Sequence, residues 1–564
     1  MGRLLAFAFL VCGLAFSQDP AYNSVTAQRL REPADSEWLL GRRTYDGWGY
    51  SPLNQITAAN VARLKVAWSL PTGAHDAHEA AILVNSGILF VSTPQAQVLA
   101  VDARTGKQLW SYRRRMSEDA FQGHPASRGV ALFADKVYFA AGDTTLIALD
   151  ARTGKEIWTT RVADNRSGYY MTLAPLIAGG KVMVGASGGE FGIRGFVAAF
   201  NPETGKELWR TYTIPEPGQT GSETWPKGNQ WKTGGASVWI TGTYDVETNL
   251  AYWGTGNGGP WMGDQRPGDN LYVASTVALD VNTGAIKGHY QYIPNESWDW
   301  DEVSPPLLID YRRDGRTIRG LVDVARNGYL WFLDRAGGPI RFVDASPYVM
   351  HNAILSLDPK TGRPSIDPLH KPVTGKRIDA CPSSWGGKNW PSVAFSPATR
   401  MIYIPANNNL CATWFGEQIQ YLPGRPFAGA SVSLYVPPGA THVGEVQAWN
   451  VDTGKRVWTH EYSNSATWGP ILATAGGLVF SGGTADGAFH AFDAARGALL
   501  WQYASPSGIL GQPVSYSLDG KQYIAVLAGW GGDARLLQGF VAQHFGGPRQ
   551  TSDAGAILVF ALDK

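Results

Sequence analysis

Five short stretches place oxygen-bearing side chains among glycines and aromatic residues. ASGGEFGIRG (186–195) carries Glu190, and GTGNGGPW (254–261) carries Asn257. NESWDWDEVSP (295–305) sets Asp299 and Asp301 on either side of Trp300. HDAHEAA (75–81) holds Glu79 and GGKNWPS (386–392) holds Asn389. Carboxylates together with an amide oxygen make a hard-oxygen donor set, suited to Ca²⁺-like ions and unsuited to zinc. Glycines beside them let the backbone approach a ligand closely. Taken singly, each of these residues is equally compatible with a turn. Alternation along an extended segment would turn Asp299 and Asp301 to the same side, where both could reach one ion.

These stretches interrupt a repeat, and the repeat is what must position them. LAVDARTGKQLW (99–110), IALDARTGKEIW (147–158), AAFNPETGKELW (198–209) and QAWNVDTGKRVW (447–458) are four strong copies. Weaker copies are VALDVNTGAIKGHY (277–290), LSLDPKTG (355–362) and AFDAARGALLW (491–501). In each, an apolar strand ends in Asp or Asn, a Thr-Gly pair (Arg-Gly in 491–501) turns the chain, and a second strand follows, ending in Trp in the strong copies. Trp110, Trp158 and Trp209 are spaced 48 and 51 residues apart. That period is the signature of a four-stranded propeller blade. The reading is all-β: an eight-bladed β-propeller with tryptophan-docking repeats, two long gaps accommodating blades without a clear copy. The terminal strand AGAILVFALDK (554–564) is suited to closing the ring. Function is expected where blades depart from repetition, at one end of the central channel.

Composition agrees with a turn-rich β protein, with Gly 67, Trp 22 and Tyr 23 among 564 residues. Lys+Arg 48 against Asp+Glu 47 leaves no basic surface to suggest nucleic acid. MGRLLAFAFLVCGLAFSQDP begins with Arg3, continues with an apolar core over 4–16 and reaches the small-x-small site Ala15-Phe16-Ser17. This pattern is a secretory signal peptide over residues 1–17. The core is too short for a membrane span, and no other transmembrane segment is seen. A lipoprotein signal through Cys12 is a poorer fit. The mature chain, 18–564, is read as one domain. Its two cysteines, Cys381 and Cys411, suggest one disulfide in an exported protein, the alternative being two buried thiols.

The chain resembles the PQQ-dependent (pyrroloquinoline quinone) methanol and ethanol dehydrogenases over nearly all its mature length. GRRTYDGWGYSPLNQIT (41–57), the Trp-Asp pair at 298–299 and GKQYIAVLAGWGG (520–532) carry the resemblance together with the stretches above. It implies PQQ lying over a metal ion held by Glu190, Asn257 and Asp299, with Asp299 also the general base. Trp239, in GGASVW, would be the floor under the flat cofactor. Glu79, Arg128, Thr172, Ser187, Gly188 and Gly189 would hold its carboxylates and quinone edges. Ser237, Asn389 and Trp468 would complete the rim, Arg326 would reach the quinone oxygens, and Trp530 would lie near the pocket mouth. Cys381 and Cys411 fall where such enzymes carry a structural disulfide. A periplasmic location follows from the signal peptide and the resemblance together.

Within the resemblance Asp301 is the most informative position. Relatives that use calcium usually have a small or neutral residue two places after the catalytic aspartate, and those that use a lanthanide (La³⁺ or Ce³⁺) have a second aspartate there. Ca²⁺ is the alternative if Asp301 caps a turn. One departure is plain: the family commonly has two adjacent cysteines over the cofactor, and FQGHPASRGVAL (121–132) has none, with Gln122 and Gly123 near their place. No C-x-x-C-H haem motif occurs either, so electrons from a small alcohol would leave to a separate soluble cytochrome c. Some relatives are dimers, and a homodimer is an expectation here. The competing readings are a calcium quinoprotein acting on another alcohol or a sugar, and a non-enzymatic propeller scaffold.

Overall fold

The Asp-x-x-Thr-Gly segments explain the local architecture. In the computed structural model, which describes residues 19–563, the Asp150 carboxylate accepts from the backbone N–H groups of Arg152 (3.1 Å) and Thr153 (2.8 Å). Gly154 then returns the chain with φ of 69°. This side-chain-capped turn joins the strand Thr145–Asp150 to Glu156–Arg161. Equivalent turns follow Asp102, Asn201, Asp280 and Asn450.

Each turn is also a docking point for the preceding sheet. A Cβ at Gly154 would lie 2.5 Å from the ring of Trp110, whose indole Nε1 donates to Ala151 O at 3.0 Å. Trp68, Trp158, Trp209, Trp458 and Trp501 likewise donate to backbone carbonyls 35 residues or more away in sequence. The repeated Trp is therefore a structural residue, joining one sheet to the next.

Among the described residues the strands form seven four-stranded sheets and one of five, besides three small ones. In each of the large sheets four strands run antiparallel to their neighbours, as in Leu176–Ala178, Lys181–Gly185, Phe196–Phe200 and Glu207–Tyr212; the fifth strand of the largest, Tyr50–Ser51, pairs parallel with Leu472–Thr474. The first three strands of that sheet are almost wholly buried and the fourth is half exposed, which matches the apolar inner strands and the mixed outer one. Ala554–Leu562 pairs with both Leu64–His75 and Lys521–Ala528, so one sheet contains strands from both ends of the described chain.

One repeat copy folds differently from its reading. LSLDPKTG (355–362) makes no large sheet. It forms part of the two-stranded hairpin Ile354–Leu357 and Pro364–Ile366. The large sheet in this region runs from Leu307–Leu308 to Arg341–Pro347, and its turn, DRAGG (334–338), lacks the Thr-Gly pair. The hairpin nevertheless docks like the true copies, with Tyr290 Oη donating to Thr361 O at 3.2 Å. Cys381 and Cys411 form a disulfide, resolving the alternative of two thiols. No described helix is long and apolar enough to cross a membrane. The signal-peptide reading, residues 1–17, lies outside the described residues.

The meander decides where chemistry sits. In a four-stranded antiparallel sheet, the loop between the second and third strands lies at the same end as the link from the preceding sheet. The Thr-Gly turns, between the third and fourth strands, lie at the other. Glu190, Asn257 and Arg326 occupy second-to-third loops, while Arg128, Trp239, Asp299 and Asn389 occupy links between sheets. All converge at one end, opposite the turns. Gly154→Ala should cost about 1–3 kcal/mol, since it combines backbone strain with a clash on Trp110. Chemical denaturation of the variant checks this, and an unchanged midpoint would mean that the Trp–turn contact is dispensable.

Candidate active site

The loop after strand Ile286–Gln291 is not extended as alternation would require. Asp299 adopts φ of 67°, a left-handed conformation that Asp tolerates better than most residues. The two aspartates still face one side. Trp298 and Trp300, on the other, stack 4.6 Å apart with an interplanar angle of 4° and are fully buried. Their indoles donate to His370 O (2.8 Å) and Ser383 O (2.9 Å), anchoring the loop to its neighbours. Glu190 projects from a single helical turn, Gly189–Phe191. Close approach makes glycine necessary at 256, where a Cβ would lie 2.7 Å from Asp301 Oδ1 and 2.6 Å from Ser237 Oγ.

Glu190, Asp299 and Asp301 bring carboxylate oxygens within 4.8 Å of one another. Arg326 is the cation beside them, 2.9 Å from Asp301 Oδ2 and 3.6 Å from Asp299 Oδ2. Asp301 Oδ2 also accepts from Trp239 Nε1 at 2.9 Å, and its Oδ1 accepts from the Asn257 N–H. Two oxygens in the cluster have no hydrogen-bond partner although they are buried: Asp299 Oδ1 and Asn257 Oδ1. Burial pushes the Asp299 carboxyl well above the usual range, against the pull of Arg326, and Asp301 and Glu190 push it further. Burial and the Asp301 charge push Glu190 up to about 7. Three acidic groups face one guanidinium, and orphaned oxygens remain. This donor set fits a hard cation of high charge.

A pocket of about 790 Å³ opens over the cluster. Of the residues singled out in the sequence, Arg128, Thr172, Ser187, Gly188, Glu190, Trp239, Asp299, Asp301, Arg326 and Asn389 line it. Arg128 lies 4.9 Å over the Trp239 ring and bonds Thr172 Oγ1 at 2.5 Å. Glu79 sits one layer below, paired with Arg128 at 2.8 Å, in a separate chamber of about 840 Å³ along the sheet edges. Burial raises its carboxyl to about 7 although Arg128 opposes the shift. Gly189 and Asn257 are packed against each other behind the wall. Ser237 is buried there too, its carbonyl accepting from Gly256 N–H. Trp468 and Trp530 do not line the pocket: both belong to the apolar cluster under helix Gly532–Phe545. Trp468 Nε1 is buried without a partner.

Where adjacent cysteines were missing, the chain builds an aromatic wall. Phe121 packs on Phe191 (4.5 Å) and Tyr170 (5.7 Å). A Cβ at Gly123 would lie 2.9 Å from the Tyr170 ring, so only glycine lets the segment pass. Tyr170, His124, Trp261, Trp385, Trp390 and Asp533 complete the lining and were not picked out from the sequence. Trp261 and Trp390 lie within stretches that were, and proximity in sequence was the available signal. Tyr170 comes from a loop with no donor pattern and Asp533 from the first turn of the helix Gly532–Phe545.

Comparison with known proteins gives a consistent result. Residues 38–348 and 461–524 match the model of the PQQ "glucose/ethanol/alcohol dehydrogenase, beta-propeller domain" family. The chain is 36% identical over 546 residues to the quinoprotein alcohol dehydrogenase PedH of Pseudomonas putida, covering 92% of this chain and 90% of that one. It is 34% identical to a quinoprotein ethanol dehydrogenase of Pseudomonas aeruginosa, covering 91% and 88%. Among solved structures, a europium-containing methanol dehydrogenase superposes with a TM-score of 0.89 at 35% identity, covering 95% of this chain and 100% of that one.

The charge cluster makes a stability prediction. A carboxyl whose folded-state value is raised stabilises the fold only while protonated, and that contribution is lost as pH climbs from the ordinary carboxylate range towards the raised value. Asp299→Asn removes such a group. Metal-free Asn variant should therefore unfold about 1–3 °C above metal-free wild type at pH 8, with the gap closing at pH 5. A thermal scan at both pH values decides it; a variant less stable at pH 8 would show that the cluster is not under electrostatic strain.

Proposed function

The chain belongs to the PQQ-dependent alcohol dehydrogenase family, and from that premise we propose that it oxidises a primary alcohol of the methanol or ethanol class to the aldehyde, using a lanthanide ion. As a quinoprotein alcohol dehydrogenase it is an oxidoreductase. Its eight large sheets are read as the blades of one propeller domain spanning 18–564, locked by tryptophan-docking repeats. Residues 1–17 are read as a cleaved signal that sends the protein to the periplasm, where a soluble cytochrome c takes the electrons.

The observation that carries the metal reading is the convergence of Glu190, Asp299 and Asp301 beside an unpartnered Asn257 oxygen, under a pocket floored by Trp239. Glu190, Asn257, Asp299 and Asp301 would hold the ion. Arg128, Thr172, Ser187, Gly188 and Asn389 would hold the cofactor, with Trp239 against its flat face. When bound, PQQ supplies the acceptor for the hydride from the alcohol carbon, and the cation supplies the Lewis acid that polarises its quinone carbonyl.

The chain's own residues do the rest. Asp299 accepts the alcohol's hydroxyl proton as general base. Arg326, between Asp299 and Asp301, fixes both carboxylates and offers N–H donors towards the pocket. Trp239 is held in register by its indole bond to Asp301. Trp261 and Trp385 narrow the approach and exclude water.

Three carboxylates and one arginine leave two negative charges, which Ca²⁺ would just neutralise, so the trivalent reading rests on Asp301 adding a third hard carboxylate donor to the set. One observation favours a second reading, a calcium enzyme: Asp301 is already bonded to Asn257, Trp239 and Arg326, so it also suits the part of a hydrogen-bond anchor. Metal-free protein given PQQ with La³⁺ or Ca²⁺, and assayed by alcohol-dependent dye reduction, separates the two. Activity with La³⁺ should exceed that with Ca²⁺, and Asp301→Ala should reduce La³⁺ activity by about 10–100-fold more than Ca²⁺ activity. Activity with Ca²⁺ alone would discard the lanthanide, and absence of PQQ binding would discard the enzyme reading.

A further inference from the structure

Asp299 holds a backbone conformation that must be maintained from outside. A left-handed residue turns the N–H groups around it towards one point, forming a concave nest that attracts an anion. Here the N–H groups of Trp298 and Trp300, flanking Asp299, both donate to Glu296 Oε1, at 2.5 and 2.9 Å. Glu296 Oε2 accepts from Gly258 N–H at 3.5 Å, the residue following Asn257. One buried carboxylate thus touches two of the three loops that carry the oxygen donors, those of Asn257 and of Asp299 with Asp301.

Arg266 completes the arrangement from the Asn257 side. It is fully buried, 3.9 Å from Glu296 Oε2, and donates to the Glu296 carbonyl, to Pro260 O (2.8 Å), to Trp261 O (3.1 Å) and to Asn270 Oδ1 (2.7 Å). A Cβ at Gly258 would overlap its guanidinium, so the loop closes directly over it. Burial lowers Arg266 to about 10, and Glu296 is what opposes that shift. Neither side chain reaches the pocket.

We propose that Glu296, clamped by Arg266, is a positioning residue: it fills the nest around Asp299 and ties it to the Asn257 loop, so that the donors stand in place before the cation and the alcohol arrive. This rests on the metal reading above and assigns Glu296 no contact with the ion. The left-handed backbone at Asp299 is held by these hydrogen bonds. Without them the residue relaxes, and its carboxylate turns away from Arg326 and the other donors.

The test is to titrate Tb³⁺ alone into metal-free mature protein, reading luminescence sensitised by the neighbouring tryptophans, and to measure kcat and KM on the PQQ-loaded enzyme. Glu296→Ala should weaken Tb³⁺ binding and lower kcat by about 10–100-fold each, with the alcohol KM changed by less than about threefold. Glu296→Gln keeps an oxygen that accepts from both N–H groups and should restore binding and kcat to within about threefold of wild type. If the alanine variant does not fold, Glu296→Asp, one methylene too short to bridge both N–H groups, should show the same losses. Wild-type affinity and kcat in the Ala or Asp variant would overturn the proposal, as would a Gln variant as impaired as Ala. Wild-type protein that binds no Tb³⁺ contradicts the metal reading itself, and the proposal with it.

Discussion

Everything about this molecule's functional end follows from one electrostatic constraint: three carboxylates, Asp301 buried and Glu190 and Asp299 largely so, lie within 4.8 Å of one another with Arg326 as the guanidinium against them. Burying unpaired charge is among the costliest things a fold does, so such a cluster persists only when the rest of the structure enforces it. The enforcement is rigid. Stacked Trp298 and Trp300 hold one side of the loop and the Asn257 loop closes on the other. Gly256 lets Asp301 come within reach of backbone and cofactor floor alike.

The sheets supply that rigidity cheaply. The Thr-Gly turns at Gly106, Gly154, Gly205 and Gly284 each receive a tryptophan from another sheet, so those neighbouring sheets lock at the end away from the chemistry. The opposite loops are then free to vary. Glu190, Asn257 and Arg326 take second-to-third loops of three sheets and Asp299 takes a link. A single irregular end collects donors distant in sequence, and the repeat pays no stability for it. The helix Gly532–Phe545 occupies another such loop and roofs the apolar cluster containing Trp468 and Trp530.

Much of this was legible in the sequence, for identifiable reasons. The turn motif is local: Asp or Asn accepts from the next residues and Gly takes the positive φ. The strand–turn–strand unit can therefore be read directly. The same locality misled at 355–362, where a correct turn sits in a hairpin because turn chemistry does not specify which strands pair beyond it. The sheet at 307–347 was invisible because DRAGG turns the chain without Thr-Gly. Glu190, Asp299, Asp301 and Arg326 were found as motif residues, and they do meet. What brings the aspartates to one side, however, is a left-handed Asp299, not strand alternation, and backbone handedness at a non-glycine leaves no mark in composition. Trp468 was read at the rim and Trp530 near the pocket mouth, and both lie in the apolar cluster, because a tryptophan's type does not tell which face it turns to. Glu296 went unnoticed because its bonds to the Trp298 and Trp300 N–H groups depend on the left-handed Asp299 between them, and Tyr170 because its contacts are distant in sequence.

The most direct test of the central claim is crystallographic. Crystals of the mature protein loaded with PQQ and La³⁺, measured for lanthanum anomalous scattering, should place one strong peak among Glu190, Asn257, Asp299 and Asp301, with Asp301 turned from its hydrogen bonds into coordination. A peak elsewhere, or a peak here with Asp301 still bonded only to Asn257, Trp239 and Arg326, would contradict the view that the acidic cluster is built for a trivalent ion.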